Sequence, residues 1–292
     1  GTRWRRVDGH VDSRPGAECV TSSHRFDLAS LTKVIVTMPI ILHLVESGDL
    51  HLGWKVTDLL PEFQGVGKHD VTVAQLLTHT SGLPAHIPFW QAGEDAASVR
   101  DHVLATPLEV APGSAVTYSD LGFMTLGFLA EALCGQPLND IASGTVIKPL
   151  GLDGATFRPR DFRVECVGTE VVEERGGLVI GEVHDENAMA LGGIAGHAGL
   201  FATLHDVATV ALFWAGGGTT TGRRFLSDAS ISAAIEDRTC HLDPRSSRGY
   251  GWVRFPNAFA IPNDLASDRA FSHTGFTGTS IMVDPHWGIW AV

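Results

Sequence analysis

The chain has 292 residues, of which 44% are hydrophobic and 18% charged, and this balance predicts a folded protein with a substantial core. It carries 21 basic and 33 acidic side chains, so its acidic surface disfavours binding to nucleic acid or to an anionic membrane surface. The longest apolar run, residues 34–45, is too short for a membrane span of about 20 residues. The four cysteines lie far apart without a C-x-x-C pair, which indicates neither a zinc site nor a disulfide framework.

The two ends of the chain are predicted to be strands. Thr2–Val11 reads as a strand, and Phe271–Val283 and Gly288–Val292 read as two more, joined by a hairpin-type turn at residues 284–287. A strand at a chain end leaves a sheet edge bare, so we expect flanking segments to be missing at both ends. No apolar stretch typical of a signal peptide follows the basic residues 3–6.

Two long helices are predicted from the period of the apolar residues. Residues 31–45 repeat apolar side chains at i, i+3, i+4 and i+7, and Gly48 is placed to end this helix. Pro39 lies inside it and should bend its axis. A second apolar helix is predicted over about residues 121–133, ending at Gly135.

The order of the elements predicts an α/β fold with more than one lobe. Strands at both ends would form an α/β lobe from about residues 1–58 and 200–292. A mostly helical lobe of about residues 59–199 would be inserted between them.

Ser30-Leu31-Thr32-Lys33 places a hydroxyl and an ammonium three residues apart at the predicted start of the first helix. Residues at this spacing lie on one helix face. A serine hydroxyl is a poor nucleophile until its proton is removed, and a cation at a helix N-terminus lowers the cost of forming the alkoxide. Chance is the alternative, because eighteen serines offer many positions for such a spacing.

Tyr118 is one of only two tyrosines and precedes the second helix. A tyrosine beside a cation can act as a general base, because the cation stabilises its phenolate. Asp120 follows two residues later. The alternative is a half-buried tyrosine with Asp120 as a helix cap.

His273-Thr274-Gly275 lies in the predicted strand Phe271–Val283 and is followed by Phe276. A glycine inside a strand often marks the close approach of a ligand or of another backbone. Free N–H groups of an edge strand can hold an extended substrate or an oxyanion. A bulged strand with an exposed histidine is the alternative.

Residues 184–187 (His-Asp-Glu-Asn) and His197 are possible metal ligands, but no H-x-x-x-H or H-x-H spacing accompanies them. Polar loop residues that line a cleft are the favoured interpretation. The chain also lacks a G-x-S-x-G elbow and glycine-rich phosphate loops. We therefore expect neither a metal nor a cofactor.

Taken in order, S-x-x-K, Y-x-D and H-T-G resemble the three motifs of the serine β-lactamases and penicillin-binding DD-peptidases. The tyrosine in the second motif resembles the motif of the class C β-lactamases and related esterases. Residues 26–29, 76–83 and 199–203 also resemble this branch. The histidine is similar to that of certain DD-peptidases and esterases. The resemblance extends from about Arg25 to the end of the chain. It implies the β-lactamase/transpeptidase-like fold, with an antiparallel sheet flanked by helices and an inserted helical lobe.

The same resemblance implies roles for the matching residues. Ser30 would be the nucleophile, Lys33 its charge partner, and Tyr118 the base that activates Ser30 and later a hydrolytic water. The backbone N–H groups of Ser30 and Phe276 would form the oxyanion hole. The substrate-binding residues would be Asp120, His273, Thr274, Gly275 and Phe276.

Two positions depart from the family pattern. Asp120 stands where the family usually has Asn, and His273 stands where β-lactamases usually have Lys. A lysine would be a permanent cation for a substrate carboxylate, whereas a histidine is mostly neutral at pH 7. We therefore expect the site to disfavour anionic substrates, to turn over β-lactams inefficiently and to prefer neutral short-chain esters to benzylpenicillin.

These inferences together predict one catalytic domain, a serine hydrolase that cleaves an ester or amide through an acyl-enzyme on Ser30. A β-lactam or a D-amino-acid peptide is a possible substrate, and the expected partner is a small-molecule or short peptide acyl donor. One alternative is an acyltransferase that uses the same acyl-enzyme. Another is a catalytically silent binding protein of this fold, which the presence of Ser30, Lys33 and Tyr118 disfavours.

Overall fold

The computed structural model describes residues 3–93, 95–159, 165–220, 223–255, 257, 261 and 264–292. The helices are α1 (Met38–Ser47), α2 (Val56–Leu59), α3 (Val73–Leu77), α4 (Ala96–Ala105), α5 (Asp120–Cys134), α6 (Leu138–Ala142), α7 (Lys148–Leu150), α8 (Glu186–Ala190), α9 (Leu204–Ala215) and α10 (Asp228–Ile235). The strands are β1 (Arg25–Asp27), β2 (Thr156–Phe157), β3 (Val171–Val172), β4 (Gly177–Leu178), β5 (Leu200–Thr203), β6 (Thr219–Thr220), β7 (Arg223–Arg224), β8 (Val253–Arg254), β9 (Phe271–Thr274), β10 (Ser280–Asp284) and β11 (Ile289–Ala291).

The first predicted helix is confirmed, and it begins with a wide turn. Lys33–Thr37 forms a π-helical turn, in which the N–H of Met38 donates to the carbonyl of Lys33, and α1 follows directly. Pro39 has no N–H to donate, and the wider turn just before it allows the helix to continue. Gly48 ends α1 in the left-handed conformation, with φ 84°.

Helix α5 confirms the second predicted helix and is the centre of the helical part of the structure. Residues 121–130 are all buried, and the helix packs against the π-helical turn, α1 to α4 and α6. Its N-terminus therefore carries Tyr118 and Asp120 into the core. Among the described helices none alone is long and apolar enough to cross a membrane; α5 meets that test only together with Leu138–Leu150, across an 83° bend.

Two antiparallel sheets complete the frame around the site. The larger sheet has the strand order β11-β10-β9-β8 and packs against α9, while the sheet β1-β5-β2 leads into Ser30. Edge-to-face contacts among Trp214, Trp252 and Phe271 join α9 to β9, with ring centroids 4.9 to 6.0 Å apart. The predicted antiparallel sheet flanked by helices is confirmed. The lobe boundaries near residues 58 and 200 stay a prediction.

The predicted first strand, Thr2–Val11, is wrong. Residues 3–8 form no regular structure and are exposed, and His10 makes only an isolated bridge to Cys19. The few apolar side chains of this segment stand among charged ones, so pairing it to a sheet would bury little apolar surface. Thr2 lies outside the described residues.

The predicted single strand Phe271–Val283 is also wrong, because it contains a reversal. Strands β9 and β10 form a hairpin in which the N–H of Gly275 donates to the carbonyl of Thr279 at 2.7 Å. Gly278 turns the chain with φ 92°, a conformation that favours glycine. The apolar pattern continues on both sides of the turn, which is why it read as one strand. The next hairpin, between β10 and β11, is confirmed.

Gly196 lies where the chain passes between two helices. A Cβ atom at this position would lie 2.1 Å from the carbonyl oxygen of Phe123 in α5, so only glycine fits. On the other side, Thr37 Oγ1 donates to the carbonyl of Gly196 at 2.6 Å. This close approach holds the helices that carry Lys33 and Asp120 at a fixed distance.

We predict that Gly196→Ala lowers the free energy of unfolding by about 1–3 kcal/mol, because a backbone segment must move to admit the methyl group. Gly144→Ala is the matched control: nothing lies within 4 Å of a Cβ atom there, so we expect no loss of stability. Urea unfolding of both variants and the wild type measures the difference. Equal stability of Gly196→Ala and the wild type would contradict the close approach.

Candidate active site

Ser30 follows a strained turn at the start of the first helix. Ala29 has φ 45°, a left-handed conformation that is rare for a residue with a Cβ atom. The Asp27 carboxylate holds this turn by accepting the N–H groups of Ala29 at 2.9 Å and His184 at 2.7 Å. Burial raises the pKa of Asp27 to about 6, against the opposing effect of these hydrogen bonds. The turn presents Ser30 to a cleft of about 430 Å³.

The Lys33 ammonium is fully buried and has three polar partners. It donates to Ser30 Oγ at 2.9 Å and to the carbonyl of His197 at 3.1 Å, and it pairs with Asp120 Oδ1 at 2.8 Å. Burial lowers the pKa of Lys33, but attraction to Asp120 and Tyr118 outweighs burial and raises that pKa above its ordinary value of 10.5. Lys33 is therefore a fixed cation near neutral pH and a donor to Ser30, not a proton acceptor.

Asp120 is held in its charged form by the same pair. Burial favours its neutral form, but the Lys33 ammonium and the nearby His86 imidazole together hold the pKa of this carboxyl well below its usual range. The N–H of Asp120 also opens α5 by donating to the carbonyl of Ala85 at 2.9 Å. The structure thus places Asp120 against Lys33, as the motif spacing predicts.

The Tyr118 ring lies between two cations. Lys33 Nζ is 5.0 Å from the ring centroid, and the guanidinium carbon of Arg248 is 5.2 Å from it. The role of Tyr118 as the base that accepts the proton of Ser30 stays a prediction.

His79 fixes the backbone on both sides of Tyr118. Its carbonyl accepts the N–H of Thr117 at 2.9 Å, and its ring Nδ1 accepts the N–H of Ser119 at 3.0 Å. The rings of His79 and Tyr118 are 4.6 Å apart. Burial and the nearby cations hold the pKa of His79 well below its ordinary value, so the ring stays neutral and acts as an acceptor. The sequence contained His79 in a stretch that fits the family, but without a role.

His273 is buried and neutral. Burial, together with Lys33 and Arg248, lowers the pKa of His273 to about 3. Its Nδ1 lies 2.8 Å from the carbonyl oxygen of Thr274, and its ring is 6.0 Å from that of Tyr118. The alternative of an exposed histidine on a bulged strand is therefore wrong. His273 supplies no positive charge for a substrate.

The turn between β9 and β10 is bound to the strained turn before Ser30. Thr277 Oγ1 donates to the carbonyl of Asp27 at 2.6 Å, and Thr279 Oγ1 donates to the carbonyl of Leu28 at 3.2 Å. A Cβ atom at Gly275 would lie 2.5 Å from the carbonyl oxygen of Leu28, so the glycine is needed for the close approach of the two backbones. The hairpin turn therefore fixes the position of the backbone before Ser30.

The two N–H groups predicted to form an oxyanion hole lie on the walls of one cleft. Ser30, Thr274 and Phe276 all line it. Neither the N–H of Ser30 nor that of Phe276 donates a hydrogen bond within the described part of the chain. Strand β8 pairs with only the first two residues of β9, so the edge at His273 and Thr274 has no strand partner on that side among the described strands. Both roles stay predictions.

The residues considered as metal ligands have structural partners. His197 Nε2 lies 2.9 Å from Asp185 Oδ1. Asn187 accepts the N–H of Trp90 and donates to the carbonyl of Ile87. Within the described ranges, no group of three or more His, Cys, Asp or Glu side chains could hold a metal ion. These residues join α8 to the loop before α4.

Arg248 is the residue of the cleft that the sequence patterns did not indicate. Its side chain is buried and lines the cleft together with Ser30 and Tyr118. Its Nε and Nη1 atoms have no hydrogen-bond partner among the described residues. An arginine keeps its charge in proteins, so the cleft contains a second fixed cation. No local spacing marks Arg248, because it belongs to none of the three motifs.

A family model of the beta-lactamases matches residues 2–292. The chain belongs to the beta-lactamase family. A relative from Escherichia coli strain K12, provisionally named a D-alanyl-D-alanine carboxypeptidase, is 30% identical over 315 residues, which cover 96% of this chain and 70% of the relative. A relative of the same name from Salmonella enteritidis is 31% identical over 295 residues, which cover 91% of this chain and 67% of the relative.

Solved structures with the same fold include other members of this superfamily. A penicillin-binding protein homologue from Caulobacter crescentus superposes with a TM-score of 0.75 at 22% identity, covering 97% of this chain and 80% of that one. A class C β-lactamase from Rhodobacter sphaeroides gives a TM-score of 0.72 at 18% identity, covering 97% and 82%. The β-lactamase/transpeptidase-like fold is confirmed, and this member of the beta-lactamase family is a serine hydrolase of that superfamily.

We predict that the losses from Lys33→Met and Tyr118→Phe are far from additive, because both residues serve the same acylation step. Each should lower kcat for a neutral chromogenic ester by at least ~100-fold. The double variant should be little worse than the poorer single variant.

Lys68→Met is the matched control, since Lys68 is also fully buried but has no part in the cleft. We expect it to keep the wild-type kcat at a temperature where it is folded. Losses that multiply in the double variant would show that Lys33 and Tyr118 act independently.

Proposed function

We propose that this beta-lactamase family member hydrolyses an amide or ester whose acyl donor carries a carboxylate near the scissile bond, through an acyl-enzyme on Ser30. The observation that carries the proposal is Arg248. A guanidinium binds a carboxylate through two parallel hydrogen bonds. Among the described residues Nε and Nη1 of this guanidinium have no hydrogen-bond partner, and its contact with Tyr118 is with the ring; a substrate carboxylate in the cleft would provide a partner of opposite charge.

Arg248 changes the expectation that arose from Asp120 and His273. The negative charge of Asp120 was expected to repel anionic substrates, but it is paired with the Lys33 ammonium. His273 is neutral, yet the guanidinium of Arg248 lies in the same cleft and supplies the cation that His273 does not. The cleft therefore favours a donor with a carboxylate over a neutral one.

The names of the sequence relatives support the same substrate class. The Escherichia coli and Salmonella enteritidis relatives are provisionally named D-alanyl-D-alanine carboxypeptidases. A carboxypeptidase acts at a peptide end that has a free carboxylate. We therefore propose a short peptide ending in D-alanine as the first donor to test.

In the proposed reaction Tyr118 accepts the proton of Ser30 Oγ as this oxygen attacks the carbonyl carbon. The oxyanion would be stabilised by the N–H groups of Ser30 and Phe276. Tyr118 then returns the proton to the leaving amine or alcohol, and the acyl group stays on Ser30. In the second half Tyr118 takes a proton from water as the water oxygen attacks the acyl carbon. The bond to Ser30 Oγ then breaks, Tyr118 returns that proton to Ser30 Oγ, and the acyl group leaves as an acid. Lys33 keeps its charge throughout.

We predict that a fluorophosphonate labels the protein covalently at Ser30, because Lys33 and Tyr118 make this hydroxyl nucleophilic. Intact mass spectrometry and peptide mapping would locate the adduct. Ser30→Ala should not be labelled, while Ser22→Ala, a change outside the cleft, should be labelled like the wild type. An adduct on any other residue would overturn the assignment of the nucleophile.

We predict that Arg248→Gln lowers kcat/KM for an N-acyl-D-alanyl-D-alanine donor by about 10- to 100-fold, the size expected for a lost hydrogen bond to a charged group. A neutral ester should change by less than about threefold, since it has no carboxylate for Arg248 to bind. The ester also shows that the variant is folded. The measurement is kcat/KM for both donors on each variant.

Arg238→Gln is the matched control. Its guanidinium carbon lies 4.3 Å from the ring centroid of Tyr250, the other tyrosine, but it pairs with Glu236 at 2.9 Å and is outside the cleft. This variant should treat both donors as the wild type does. Equal losses for both donors in Arg248→Gln would contradict a role in carboxylate binding.

A further inference from the structure

His86 lies on the side of Asp120 that Lys33 leaves open. Asp120 Oδ1 pairs with Lys33 at 2.8 Å, and His86 Nδ1 is 3.7 Å from Asp120 Oδ2. The Lys33 side chain is fully buried, whereas 47% of the His86 side chain is exposed. His86 can therefore exchange a proton with solvent. Asp120 contacts both His86 and Lys33, so the charge of His86 acts through Asp120 on the ammonium beside Ser30.

The backbone fixes His86 in this place. Ser119 Oγ donates to the carbonyl of Pro84 at 2.6 Å, and the N–H of Asp120 donates to the carbonyl of Ala85 at 2.9 Å. These two hydrogen bonds tie the residues before His86 to the N-terminus of α5. The proximity of His86 and Asp120 is thus set by the fold and does not depend on the ion pair itself.

Helix α8 binds the other side of the same loop and adds negative charge. Asn187 Nδ2 donates to the carbonyl of Ile87 at 2.8 Å. Asp185 and Glu186, at the start of α8, attract a proton on His86. The groups of the two helices that attract a proton on His86 are therefore the carboxylates of Asp120, Asp185 and Glu186.

This environment favours the charged imidazole near neutral pH. The contact of the imidazole with the Asp120 carboxylate is the largest effect that raises the pKa of His86 above 6.5, burial opposes it, and attraction to Asp185 and Glu186 adds to the increase. His86 is therefore protonated below its raised pKa and neutral above it.

We propose that His86 is a positioning residue that selects acyl donors by charge according to pH. When protonated, it shares the Asp120 carboxylate with Lys33 and leaves more positive potential beside Ser30 for a donor carboxylate. When neutral, it leaves Asp120 to Lys33 alone, and the positive potential beside Ser30 is smaller. The inference rests on the proposed function and deepens its substrate class.

The test compares two ester donors that differ only in a terminal carboxylate or its uncharged carboxamide. The ratio of kcat/KM values, anionic over neutral, should fall by about three- to tenfold as the pH rises through the raised pKa of His86, the size of one added charge at a partly exposed site. Asp27, with a pKa of about 6, acts on the turn before Ser30 and so on both donors alike, and its effect cancels in the ratio.

His86→Gln should remove this pH dependence of the ratio. His69→Gln is the matched control, because His69 lies 3.4 Å from the carboxylate of Asp70 but on the surface, 75% exposed. It should keep the wild-type profile. A falling ratio that persists in His86→Gln would overturn the proposal.

A second readout does not depend on substrate. In an NMR titration of the imidazole, the pKa of His86 should fall in Asp120→Asn, because the carboxylate that stabilises its charge is gone. An unshifted titration would overturn the proposal even if Arg248→Gln behaves as expected. If instead Arg248→Gln fails to distinguish the donors while the titration shifts, the proposed substrate class fails and the coupling of His86 to Asp120 stands.

Discussion

The site depends on the buried ion pair between Lys33 and Asp120. A lone ammonium removed from water at this depth would be unfavourable by several kcal/mol and would tend to lose its proton. The carboxylate at 2.8 Å prevents this, so Lys33 remains a cation that donates to Ser30 Oγ. In the proposed mechanism the charge of the pair decides which group takes the Ser30 proton, because a permanently charged lysine leaves that task to Tyr118.

Segments from distant parts of the chain meet at this ion pair. Lys33 belongs to the π-helical turn before α1, Asp120 begins α5, and the carbonyl of His197 comes from the segment that passes between them. The absence of a side chain at Gly196 permits that passage. The hairpin turn after β9 then closes the cleft from the opposite side by binding the backbone before Ser30. Three distant parts of the chain thus fix one hydroxyl.

Local patterns were enough for the parts of this arrangement that lie close together in sequence. The apolar period predicts the helices that begin near Ser30 and at Asp120, and the S-x-x-K spacing predicts the contact between Ser30 and Lys33. The reversal after β9 escaped prediction because the apolar alternation runs through it, and only the left-handed glycine at residue 278 marks the turn. The predicted strand Thr2–Val11 is wrong because its pattern contains too few apolar side chains to cover a sheet.

Some residues owe their roles to contacts between distant parts of the chain, and no local sequence pattern marks them. Arg248 reaches Tyr118 from a segment 130 residues away, so no spacing connects them. His79 acts through a carbonyl and a ring nitrogen on the amides beside Tyr118, and its left-handed φ of 59° appears only in the structure. His86 meets Asp120 because two hydrogen bonds join the carbonyls of Pro84 and Ala85 to Ser119 and Asp120. Such partners become visible only when the chain is folded.

The most direct test of the account is the titration of Lys33 itself. The chain has only four lysines, so the side-chain Cε signals of a ¹³C-lysine sample can be assigned by substitution. Lys68 is the internal reference: it is also fully buried, it donates to the carbonyl of Leu104 and no carboxylate pairs with it among the described residues. Burial lowers the pKa of Lys68 to about 8, whereas Asp120 holds the pKa of Lys33 above its ordinary value.

The account predicts that Lys68 titrates as the pH rises through about 8 while Lys33 remains charged. Asp120→Asn should lower the pKa of Lys33 and leave that of Lys68 unchanged. A Lys33 that loses its proton before Lys68 does in the wild type would contradict the account, because Lys33 would then be the base and Tyr118 would not.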